Sequence, residues 1–154
     1  MAFRTYRLPP EAPENNLYEI QIENEPVKAH AARVSAMPFN RHWPGHQRAL
    51  DQTEVIPFIS FELDAPVAVR VVAGKDFQEA VVRPSSRGVK PVCRGREIRF
   101  MIPGPGQYTL ELDGVKGALL IFANPLQQPA VHPGDPDTLY FGPGVHQAGV
   151  IDMH

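Results

Sequence analysis

Apolar and polar residues alternate with a period of two along most of this chain, and that alternation restricts its fold more than any other feature. In ISFEL, Ile59, Phe61 and Leu63 share one face and Ser60 and Glu62 the other. In VAVRVV, Val67, Val69 and Val71 alternate with Ala68, Arg70 and Val72. In EIRFMI, Ile98, Phe100 and Ile102 oppose Glu97, Arg99 and Met101, and in YTLEL, Tyr108, Leu110 and Leu112 oppose Thr109 and Glu111. Such a pattern marks strands with one buried and one wet face. The run ALLIFA (118–123) is apolar on both faces, which predicts a central, covered strand. Asp113-Gly114 signals a hairpin turn, with a loop extending as far as Gly117. Segments 17–23, 26–36 and 79–84 are further strand candidates. Turn residues recur at spacings of roughly 8–12, as in β-sandwiches. No stretch has the 3.6-residue period of an amphipathic helix, and 17 prolines disfavour long helices, since an interior proline costs roughly 3 kcal/mol. The expected fold is all-β: an antiparallel β-sandwich of about nine strands.

A chain of 154 residues is long enough for one domain with a real core. The pattern divides it into an N-terminal arm (1–16), a sandwich (17–126) and a Pro-rich connector with a tail (127–154). Residues 124–137 hold four prolines and read as an extended connector. A net charge of −2 argues against a nucleic-acid partner. No run approaches the roughly 18 apolar residues of a membrane span, and the N-terminus lacks the apolar core of a signal peptide. The chain as written is therefore expected in the cytoplasm, with no membrane partner. Cys93, the only cysteine, is expected to be a buried small residue.

Six histidines raise the question of a metal. His42 and His46 are spaced for one face of a helix, but Pro44 and Gly45 between them oppose a helix. His30, His132, His146 and His154 lack a Cys or carboxylate at ligand spacing and read as surface or hydrogen-bonded residues. No metal and no cofactor are expected. Nucleophile elbows, phosphate-binding loops and Cys/His nucleophile arrangements are absent from the sequence. GPGQY (104–108) precedes a strand and reads as a turn.

The densest polar cluster is MPFNRHWPGHQRALDQTE (37–54). It gathers Arg41, His42, Trp43, His46, Gln47, Arg48, Asp51 and Gln52 around the one tryptophan. Sugars are held in this way, with ring hydrogens against an aromatic face and hydroxyls on fixed polar groups. These eight residues are the carbohydrate-binding candidates. In the structural alternative, Trp43 caps the sandwich while Arg48, Asp51 and Glu54 tie down a long loop. Asp51 and Glu54 as a hydrolytic carboxylate pair lack any other support for a catalytic cleft.

Segments 32–54, 81–91, 119–126 and YFGPGVHQAGVIDMH (140–154) resemble the N-terminal region of bacterial polygalacturonase-like glycoside hydrolases of the pectin-lyase-like type. The resemblance implies a β-sandwich preceding a catalytic right-handed parallel β-helix, with Phe141 to Ile151 forming the passage into its first coil. The family's catalytic aspartates and Gly-His-Gly element have no counterpart here, so no catalytic residue carries over. The resemblance thus implies a non-catalytic accessory domain that caps the β-helix and lends its 37–54 loop to the substrate cleft. The alternatives are a free-standing carbohydrate-binding module using Trp43 and a small β-sandwich enzyme. The implied partners are an oligo- or polysaccharide and a C-terminal β-helix. Leu139, Phe141, Val145, Val150 and Ile151 form an apolar tail expected to support homodimerisation.

Overall fold

The computed structural model describes residues 3–6, 11–36, 53–127, 131–142 and 146–151. They form an all-β fold of ten strands: β1 (Phe3–Thr5), β2 (Glu14–Ile22), β3 (Glu25–Ser35), β4 (Thr53–Leu63), β5 (Val67–Ala73), β6 (Ala80–Arg83), β7 (Val92–Arg94), β8 (Glu97–Ile102), β9 (Gly106–Leu112) and β10 (Leu119–Pro125). The one helical element among the described residues is a 3-10 turn, Ser85–Arg87. No helix among them is long and apolar enough to cross a membrane.

Hydrogen bonding joins the strands in the order β6-β9-β10-β4-β3-β2-β5-β8-β7, with β1 pairing the last residues of β4. Most pairs are antiparallel, as the alternation led us to expect. β10 runs parallel to β4, with Ile121 opposite Ile59 and Ala123 opposite Phe61. Local pattern carries no information on which distant strand a segment will meet, so this pair was not foreseeable.

The path is one sheet, yet it buries a single core. Tyr18 on β2 donates its hydroxyl proton to the carbonyl of Gly117, in the β9–β10 turn, at 2.8 Å. Three strand spacings separate β2 from β10 along the sheet, about 14 Å if it lay flat. A bond between them requires the sheet to fold over on itself. One half carries β2, β5, β8 and β7; the other carries β6, β9, β10 and β4, with β3 between them. The inward residues of both halves form one cluster: Ile20 and Ile22; Val67, Val69 and Val71; Ile98, Phe100 and Ile102; Tyr108, Leu110 and Leu112; Ile59, Phe61 and Leu63; Leu119 and Ile121. In β4, β5, β8 and β9 these are the residues that the period-two pattern gathers on one apolar face.

Two turns show how local chemistry sets the register. β2 and β3 are joined by Glu23 and Asn24, both at positive φ (49° and 72°). A two-residue hairpin needs left-handed backbone at both positions to match strand twist. Glu is an unusual occupant, but its carboxylate accepts the backbone N–H of Ala68, at the start of β5. Asp113 opens the β9–β10 loop at φ 55°. Its carboxylate accepts the backbone N–H groups of Gln78 and Glu79, both at 2.9 Å. One side chain thus ties the hairpin to the segment that carries the chain from one half of the fold to the other.

Residues 3–5, inside the expected arm, lie along β4 as β1, and Glu14 to Asn16 belong to β2. Cys93 differs from expectation: it is exposed, because β7 is a three-residue edge strand with no buried side chain.

Candidate functional site

The eight carbohydrate-binding candidates, Arg41, His42, Trp43, His46, Gln47, Arg48, Asp51 and Gln52, lie outside the described residues. The stem of their loop is described. Ser35 on β3 pairs with Thr53 on β4, and Arg33 donates to the Thr53 hydroxyl at 3.1 Å. The loop therefore leaves from, and returns to, the free end of the β3–β4 hairpin.

The outward face of that hairpin continues into β10 and is unlike the rest of the surface. His30 stands opposite Phe58 and Ala32 opposite Ile56. Leu120 on β10 stands beside Phe58 and Phe122 beside Ser60. The His30 and Phe58 rings stack at 4.7 Å, and Phe122 meets Phe58 edge-on at 6.0 Å. Burial against these rings holds the His30 imidazole below its ordinary pKa. It is therefore a neutral stacking partner at pH 7. The sequence predicted a fully covered strand over 118–123. In the structure Leu119 and Ile121 are buried, whereas Leu120 and Phe122 are half-buried and covered only by their neighbours. Polar residues rim the stripe. Asn124 donates to Ser60 at 3.2 Å, and Glu62 accepts from Tyr6 at 2.7 Å and pairs with Arg4 at 3.3 Å.

The outward face of the other half is charged. Arg70 on β5 stands directly opposite Arg99 on β8. Glu97 offsets that repulsion, bonding Arg99 and Arg70 at 2.7 Å each. Both guanidinium groups, Arg99 first, hold the Glu97 carboxyl below the usual carboxylate range. This face is well suited to water, while the β3–β4–β10 face is an apolar strip with a polar rim, the composition of a contact surface.

The other described histidines have local partners. His132 accompanies Asp135, whose carboxylate accepts its backbone N–H at 2.7 Å. His146 Nε2 lies 2.7 Å from the Gly142 carbonyl, and its ring meets Phe141 edge-on. Among the described residues no three His, Cys, Asp or Glu side chains are grouped to hold a metal. From Leu126 onward the described residues form no strand, and Leu139, Tyr140, Phe141, Val150 and Ile151 are exposed.

No family model matches the chain. No curated protein matches it either. Among solved structures the fold is similar to Dex49A from Penicillium minioluteum, with a TM-score of 0.56 and 16% sequence identity. The match covers 84% of this chain and 33% of Dex49A. The chain thus spans about a third of the length of that protein, and at this identity the likeness is one of fold.

Proposed function

We propose that this chain is a non-catalytic accessory domain of a longer polysaccharide-degrading hydrolase. The observation that carries the reading is the likeness in fold to one third of Dex49A, a glycoside hydrolase of a parallel β-helix family. The apolar outward strip of β3, β4 and β10 supports it. A partner domain resting there removes Leu120, Phe58 and Phe122 from water and faces the polar rim with polar groups of its own. The chain leaves β10 beside the same strip: Leu126 donates to the Leu63 carbonyl and Arg4 to that of Gln127. Whatever follows starts next to the surface it is to cover. In this reading the 37–52 loop, rooted at the end of the strip, reaches the substrate cleft of the partner domain.

The test begins with the reading frame that encodes the chain. Continuation into apolar strands with Gly/Asn turns, in a product that cleaves a polysaccharide which residues 1–154 alone leave intact, supports the reading. A stop codon after His154 overturns it. In the longer protein, Phe58→Glu and Phe122→Glu should lower the thermal midpoint more than Met101→Glu on the charged face.

A further inference from the structure

We infer a second site, distinct from the 37–52 loop: the cleft at the end of the fold near the Tyr18–Gly117 bond binds an anionic saccharide unit. The inference rests on the carbohydrate reading above and adds a ligand class and a location to it.

The cleft has a volume of about 320 Å³ and lies between the two halves of the sheet. Its lining includes Asn16, Leu17 and Tyr18 from β2, Lys75 after β5, Leu112 at the end of β9 and Lys116 in the β9–β10 turn. Its walls are fixed by two cross-links. Tyr18 bonds Gly117 at 2.8 Å, and the Gly74 N–H donates to the Leu17 carbonyl at 2.9 Å. A Cβ on Gly74 would meet that carbonyl oxygen at 3.1 Å. The close approach of the two strands at this rim therefore suits glycine.

The chemistry of the lining selects the ligand. Leu17, Leu112 and the Tyr18 ring present an apolar wall of the kind that receives the C–H face of a pyranose. The Asn16 amide offers both a donor and an acceptor to hydroxyls. Lys75 and Lys116 bring two positive charges to the rim. Several other cations beside clefts on the described surface are already engaged. Arg83 pairs with Glu111 at 3.5 Å, Arg70 with Glu97 at 2.7 Å and Lys28 with Glu14 at 2.6 Å. Neither Lys75 nor Lys116 makes an ion pair among the described residues. The nearby Asp113 carboxylate feels Lys75 but is bonded to the amides of Gln78 and Glu79. Two ammonium groups without an ion pair, beside an apolar wall and an amide, fit a ring that carries a carboxylate or a phosphate. The volume lies at the small end of ligand sites, which run from about 300 Å³ upward, and suits one sugar unit.

The experiment is an amide-resonance titration of the 154-residue chain with digalacturonate, glucose 6-phosphate, isomaltose and inorganic phosphate. Shifts at Asn16–Tyr18, Gly74, Lys75, Lys116 and Gly117 are expected with digalacturonate or glucose 6-phosphate. The first identifies a uronate and the second a sugar phosphate. The double variant Lys75→Gln/Lys116→Gln should bind about tenfold or more weakly, and high salt should weaken the wild type. Both lysines are exposed, so an unchanged thermal midpoint verifies the fold. Isomaltose binding as well as the acidic sugars, phosphate alone binding as well, or no shift in the cleft each overturns the inference. Shifts by sugar confined to the 37–52 loop overturn this site and leave the carbohydrate reading standing. Absence of all sugar binding with polysaccharide cleavage by the longer protein does the same.

Discussion

At the residue scale the fold depends on a few side chains whose environment sets their energetics. Phe61 is fully buried near the C-terminal end of β4. Phe61→Ala should cost about 3–5 kcal/mol, read as a lower urea midpoint. Asp113 works by charge. Two backbone N–H groups hold its carboxyl below the usual carboxylate range. A group depressed in this way contributes stability above its unfolded pKa and loses it as pH falls through the folded value. Asp113→Asn keeps a residue that tolerates left-handed backbone but removes the charge. The variant should be less stable than wild type at pH 7, with the gap narrowing below pH about 4, as pH-dependent thermal melts would show. Tyr18 has the opposite sign. Burial raises its phenol pKa, so its contribution is complete below pH about 10 and lost above it. Tyr18→Phe should cost about 1 kcal/mol at pH 7 through the lost bond to Gly117. It should also flatten the alkaline loss of stability. An unchanged alkaline slope would show that the phenol stays ionisable at no cost to the fold. The alternation in YTLEL placed Tyr108, Leu110 and Leu112 inward, but nothing local to Asp113 or Tyr18 announced their cross-fold partners. Those partners lie 34 to 99 residues away.

At the element scale the strands fall into two kinds. β5 and β8 each have one apolar, buried face and an outward face that carries Arg70 on β5 and Glu97 and Arg99 on β8, and the pattern separated the two faces. β10 is apolar throughout. The sequence cannot distinguish a strand covered on both faces from one whose second face awaits a partner, because the residues are the same. The structure resolves it: Phe122 is half-buried and Ile121 wholly so. Phe122→Ala should therefore cost less than Phe61→Ala, about 1–2 kcal/mol in urea unfolding of the 154-residue chain, because part of the ring is already wet. A cost equal to that of Phe61→Ala would mean that the strip is covered within this chain. The resemblance quoted for 140–154 concerns a segment whose described residues, 140–142 and 146–151, form no strand.

At the scale of the whole molecule, the described residues after Leu126 carry a group of exposed apolar side chains, and the β3–β4–β10 strip carries half-buried ones. Phe141 and Ile151 are 46% and 44% exposed and Leu139 63%, and we propose that these side chains draw copies together. Light scattering of the 154-residue chain should show concentration-dependent association that Leu139→Ser/Phe141→Ser/Ile151→Ser suppresses. A clean monomer at high concentration would refute it. By itself the sequence determined the all-β class and the positions of most strands, though not of β1 and β7, because these follow from a two-residue period and turn residues close by in the chain. It also marked the polar 37–54 segment. Only the tertiary structure decided that β10 runs parallel to β4, that the sheet closes on itself through Tyr18 and Asp113, and that two lysines flank an apolar cleft. Each of these joins residues far apart in the chain, and their meeting depends on how the whole sheet folds over, which no short window of sequence contains.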